Sequence, residues 1–151
     1  MEWILLLPLT PMICQDFKCR NVALWQLLLF GAMQIAVCYF KYGAIQTVYN
    51  VAINLFIVVI IGVAVAVYAY LRFKQKQQLI GSGDIIFILL LAPYFGGSYF
   101  LYFLIVSFLL ALIGWWIEAC LRKKKAHNIP LVSYLGICYA IVVVYNSLPS
   151  L

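Results

Sequence analysis

Apolar stretches of 17 or more residues recur along this 151-residue chain, and a bilayer's hydrocarbon core takes about 20 such residues per helical crossing. Six apolar segments run over about 2–17, 24–40, 48–71, 82–95, 98–121 and 129–146, with short loops between. The mean hydropathy of +1.09 and the 9% of charged residues exclude an ordinary soluble domain. The expected fold is therefore all-α: one polytopic integral membrane domain over 1–151, with six transmembrane helices and no soluble domain attached. Pro8 and Pro11 fall in the first segment, where a membrane helix tolerates a kink. With Glu2 in place of a basic n-region and no small-residue cleavage site after the first apolar run, a removable signal peptide is not expected.

The charge of +6 is distributed as a topology signal. Lys18 and Arg20 follow segment 1, Arg72, Lys74 and Lys76 follow segment 3, and Arg122 and Lys123 to Lys125 follow segment 5. Lys41 alone follows segment 2, so nine of the ten basic residues fall in alternate loops. The positive-inside rule makes that face cytoplasmic and puts both termini outside. The basic residues then call for no nucleic-acid partner. Such a face attracts anionic membrane lipid by about 1 kcal/mol per charge near the surface.

Asp16 and Asp84 are the only aspartates. An ionisable group inside a bilayer costs roughly 2.5–3.5 kcal/mol on insertion scales, so a carboxyl beside a span is a functional-site hypothesis. Asp16 ends segment 1 just before a cytoplasmic loop, and Asp84 begins segment 4 just after another. Both belong at one depth, and they meet if segments 1 and 4 are neighbours. Two carboxyls a few ångströms apart cannot both ionise cheaply, so they share a proton. One then takes a proton from water while the other donates to a peptide carbonyl. This chemistry needs no metal and no cofactor. It suits a chain with one histidine, His127, and five cysteines (Cys14, Cys19, Cys38, Cys120 and Cys138) that form no C-x-x-C pair.

Asp84 sits in Gly81-Ser82-Gly83-Asp84. Gly81 and Gly83 allow positive φ and close approach of another backbone, as an extended substrate requires. A first-turn position on segment 4 favours an anionic Asp84 through the helix dipole. Plainer readings stand beside these. Ser82 with Asp84 is also a plain helix start, and Asp16 could pair with Lys18 or Arg20. Glu118 lies one turn before Arg122 and pairs with it or with Lys125. His127 reads as solvated, and Trp3, Trp25, Trp115, Trp116, Tyr42 and Tyr99 as interface anchors.

The tetrapeptide 81–84 resembles the G-x-G-D motif of type IV prepilin peptidases and their archaeal preflagellin relatives, which are intramembrane aspartic proteases. Asp16 with Lys18, Arg20, Asn21, Val22 and Ala23 is similar to the stretch at that family's first catalytic aspartate. Ile129-Pro130-Leu131 is similar to the family's opening of the last helix. The likeness spans the chain in order and topology. Ala23 stands where the family usually has proline, and Ile86 where many members have lysine. The N-methyltransferase half of the bifunctional enzymes has no counterpart, which makes this a peptidase-only form. The resemblance implies Asp16 and Asp84 as catalytic, Gly81, Ser82 and Gly83 as the substrate-facing motif, and a pilin-like precursor with a basic leader as substrate. It implies cleavage at the cytoplasmic face of the inner (plasma) membrane, in type IV pilus assembly or protein secretion. The rival from another class is a small proton- or ion-coupled transporter using the same two carboxyls. A transporter more naturally holds its carboxyls at mid-membrane between repeats, and this chain shows no repeat.

Overall fold

Most of the helices end where glycine, proline or charge interrupts the apolar run. The computed structural model describes residues 2–19, 22–73, 81–122 and 131–147. A 3-10 turn, Glu2–Leu5, leads into α1 (Leu6–Cys19). There follow α2 (Leu24–Tyr42), α3 (Ala44–Phe73), α4 (Ser82–Leu91), α5 (Gly97–Arg122) and α6 (Leu131–Ser147). Among the described residues there are six α-helices and no strand. Residues 24–42, 44–68 and 97–117 are long and apolar enough to cross a membrane, while α4 and α6 are apolar but shorter. At 1.5 Å per residue, the 10 residues of α4 cover roughly 15 Å, about half a hydrocarbon core.

The third segment starts earlier than its hydropathy indicated, because only Gly43 separates α2 from α3. Gly43 has φ +80°, a left-handed value strained for residues with a Cβ. Its N–H bonds to the Tyr39 carbonyl at 3.0 Å, closing α2. Thr47 Oγ1 donates to the Gly43 carbonyl at 2.8 Å.

Helix α6 organises the bundle. It packs along α1 and α5 and also touches α4 and the 3-10 turn. Gly136 permits the α1 contact: a Cβ there would lie 2.8 Å from Ile13 Cγ1. The apolar core joins α1, α2, α4, α5 and α6 through residues such as Leu9, Phe30, Phe87, Phe103, Leu135 and Tyr139. Phe30 stacks on Phe87 with centroids 5.6 Å apart and meets Tyr139 edge-on at 5.9 Å, both favoured aromatic geometries. Helix α3 lies against α2, α4 and α5. Its buried Asn54 donates Nδ2 to the carbonyls of Ala92 and Phe95 at 2.8 and 2.6 Å. That amide satisfies carbonyls which the end of α4 leaves without helical partners.

The sequence reading required segments 1 and 4 to be neighbours. Among the described residues α1 and α4 do not pack on each other; each packs on α6. Packing alone cannot be read from two apolar helices whose common partner lies more than a hundred residues away from one of them.

Candidate functional site

The start of α6 brings the two aspartates together. Asp16 lies in the last turn of α1 and is 5% exposed. Its Oδ2 accepts from the main-chain N–H of Ser133 at 2.8 Å and from the Ser133 hydroxyl at 2.7 Å. Ser133 is fully buried. Asp84 lies in the first turn of α4 and is half-buried. Its carboxyl interacts with the main-chain N–H groups of Gly81 and Val132 and, through space, with the carboxyl of Asp16. Val132 and Ser133 are the second and third residues of α6. Their N–H groups are among the four that a helix start leaves without partners, and the positive end of the helix dipole lies there. One helix N-terminus thus receives a carboxyl from each side.

The motif around Asp84 works differently from the sequence reading. Gly81 is the N-cap residue with φ −65°, not positive, and no side chain caps α4. A Cβ on Gly81 would stand 3.0 Å from Asp84 Oδ2, so this glycine leaves room for the carboxyl to fold back over it. Gly83 is helical, and a Cβ there would meet nothing within 4 Å. Ser82 is the first residue of the helix and is exposed, so it is not the cap. Asp16 is buried against Ser133, which replaces the surface-pair reading with Lys18, an exposed residue. Gly81, Ser82 and Gly83 thus lead directly into Asp84 in the first turn of α4.

Phe17 packs edge-on against Tyr134 beside this site, with centroids 5.8 Å apart. Gly114 of α5 accommodates that tyrosine: a Cβ there would clash with its ring and hydroxyl.

A second polar cluster occupies the opposite end of the bundle. Glu2 is buried and ion-paired with Lys41. Tyr94 Oη donates to Glu2 Oε2 and accepts from Asn146 Nδ2, the latter at 3.2 Å. The Lys41 ammonium lies 5.0 and 5.6 Å from the ring centres of Tyr42 and Tyr94. Between the two ends, Tyr139 Oη donates to buried Gln34 at 2.7 Å.

Sequence reasoning missed Ser133 and Glu2. The signal for Ser133 was that it is the one hydroxyl residue of small size in the opening turns of α6. Glu2 had a signal too, as one of four acidic residues in the chain, placed at the edge of an apolar run. Among the described residues no three His, Cys, Asp or Glu side chains gather as a metal site. Cys14, Cys38, Cys120 and Cys138 are free thiols. Arg20, Asn21, Lys74, Lys76, Lys123 to Lys125, His127 and Ile129-Pro130 lie outside the described residues, as do the side chains of Arg72, Glu118 and Arg122. No protein-family model, curated protein or solved structure matches this chain.

Proposed function

We propose that this chain is an intramembrane aspartic endopeptidase whose catalytic pair is Asp16 and Asp84. The observation that carries the reading is the convergence of the two carboxyls on adjacent residues of α6, Asp16 on Ser133 and Asp84 on Val132. A pair sharing one proton can hydrolyse a peptide bond. One carboxylate takes a proton from water, and the water oxygen bonds to the carbonyl carbon. The protonated partner gives its proton to the carbonyl oxygen. The tetrahedral intermediate then collapses: the C–N bond breaks, the departing nitrogen takes the proton from the first carboxyl, and the second recovers its own. Gly83, with open space where a side chain would be, is where an extended substrate would approach.

The G-x-G-D resemblance points to pilin-like precursors, cut between a basic leader and an apolar helix at the cytoplasmic face of the inner membrane. The decisive experiment reconstitutes the protein in vesicles, adds such a precursor and identifies products by mass spectrometry. One cut near the junction of leader and helix is expected; an intact precursor across several such substrates contradicts the reading.

One observation favours a second reading, a proton- or ion-coupled transporter. Polar groups are buried beyond the aspartates, in the Gln34–Tyr139 pair and the Glu2–Lys41 pair. Against it, the core in which Tyr139 sits is built of apolar residues such as Leu9, Phe30, Phe87 and Leu135, whose side chains relay no protons. Proton flux in the same vesicles, lost on Asp16→Asn, would favour the transporter.

A further inference from the structure

The carboxyl pair is built asymmetrically, and Ser133 is the cause. Its hydroxyl has one proton and two acceptors in reach: Asp16 Oδ2 at 2.7 Å and the Ile13 carbonyl at 3.3 Å. The shorter contact is to Asp16. The Ser133 N–H, which can only donate, converges on the same oxygen at 2.8 Å. An oxygen that accepts two hydrogen bonds has its lone pairs engaged and is a poor place for a proton. Among the described residues Asp84 receives no side-chain donor; two main-chain N–H groups face it. It is also the more open of the two carboxyls.

We infer that Ser133 is a positioning residue that fixes Asp16 as the ionised, water-activating member of the pair and leaves the shared proton on Asp84. This reverses the roles that the α4 dipole alone would give. It rests on the peptidase reading, so one arm of the test is independent of activity. In the reaction Asp16 takes the water proton and later passes it to the leaving nitrogen, while Asp84 gives its proton to the carbonyl oxygen and regains it on collapse. Ser133 keeps both its protons throughout and orients the carboxylate.

The first arm is kinetic. Ser133→Ala removes the hydroxyl and keeps the N–H. A hydrogen bond to a charged group corresponds to a roughly ten- to hundredfold loss in kcat, with KM within about twofold. Ser133→Thr keeps a hydroxyl and is expected to restore most of the rate. The second arm is infrared difference spectroscopy in detergent, without substrate. Asp16→Asn should remove an ionised-carboxylate band and Asp84→Asn a protonated-carboxyl band. Ser133→Ala should shift the carboxylate band, a change that a merely structural serine would not produce. A reversed band assignment, an unshifted band, an unchanged kcat in Ser133→Ala, or a loss that Thr does not recover overturns the inference. If no precursor is cleaved, the peptidase reading fails, and the infrared arm still decides the assignment.

Discussion

Ser133 and Asp16 are 117 residues apart in sequence and are joined by two hydrogen bonds to a single carboxylate oxygen. The contact ties the end of α1 to the start of α6, while Val132 beside it faces Asp84. A helix start with spare N–H donors is a natural seat for anionic groups. Two carboxyls there can be held close at a modest electrostatic penalty.

The rate should depend on pH as a bell. The two limbs belong to the pair as a unit, because protons leave interacting carboxyls in coupled steps. Measuring kcat/KM from acid to neutral pH checks this. A flat profile would argue against a shared proton.

Chelators should leave activity intact. The proposed pair needs no Lewis acid, and the free thiols Cys14, Cys38, Cys120 and Cys138 have no role in the proposed chemistry. Cleavage is measured after dialysis against a strong chelator and after thiol alkylation. Loss on chelation, recovered with one divalent ion, would overturn the mechanism.

The opposite end of the bundle should matter for stability, not for turnover. Glu2→Gln leaves Lys41 without its counter-charge and weakens the acceptor for Tyr94. Breaking a fully buried pair costs several kcal/mol. The Lys41 side chain is 36% exposed, so the loss here should be about 1–3 kcal/mol. Thermal unfolding in detergent should show a lower midpoint, with kcat unchanged in the folded fraction. An equal loss of kcat would tie this cluster to the chemistry.

Much of this organisation was legible in the sequence. The helix ends fall within a few residues of the apolar boundaries because charges and Gly43 interrupt the runs. Asp16 and Asp84 stood out because an apolar chain has little reason to carry them. Ser133 did not, because a serine in an apolar helix is ordinary and its partner is distant in sequence. The role of α6 as the link between α1 and α4 was hidden for a related reason: apolar helix faces are chemically alike, and packing partners depend on close-approach sites such as Gly136. Lys41 read only as a loop charge, yet it is the partner of Glu2. Gly81 was singled out for a positive φ that it does not have; the space it leaves is used by Asp84 itself.

Topology can be checked by labelling. In a cysteine-free background, a cysteine at exposed Ser82 should react with an impermeant thiol reagent from the cytoplasmic side only. One at exposed Ser98 should react from the other side only. A pair at Phe17 and Tyr134, whose rings touch, should crosslink with a short reagent. A pair at Phe17 and Gly83 should crosslink poorly, since α1 and α4 do not pack. Reaction at position 82 from both faces would instead fit alternating access.

The most direct measurement is precursor cleavage by purified wild type, Asp16→Asn and Asp84→Asn, each confirmed to be folded, with Glu118→Gln as control. Wild type and Glu118→Gln should release the leader at comparable rates. Each aspartate variant should lose at least about a thousandfold, since general acid–base groups contribute roughly 10²–10⁴-fold each and here act as a unit. Substantial turnover by either aspartate variant would contradict the assignment of Asp16 and Asp84 as the catalytic pair.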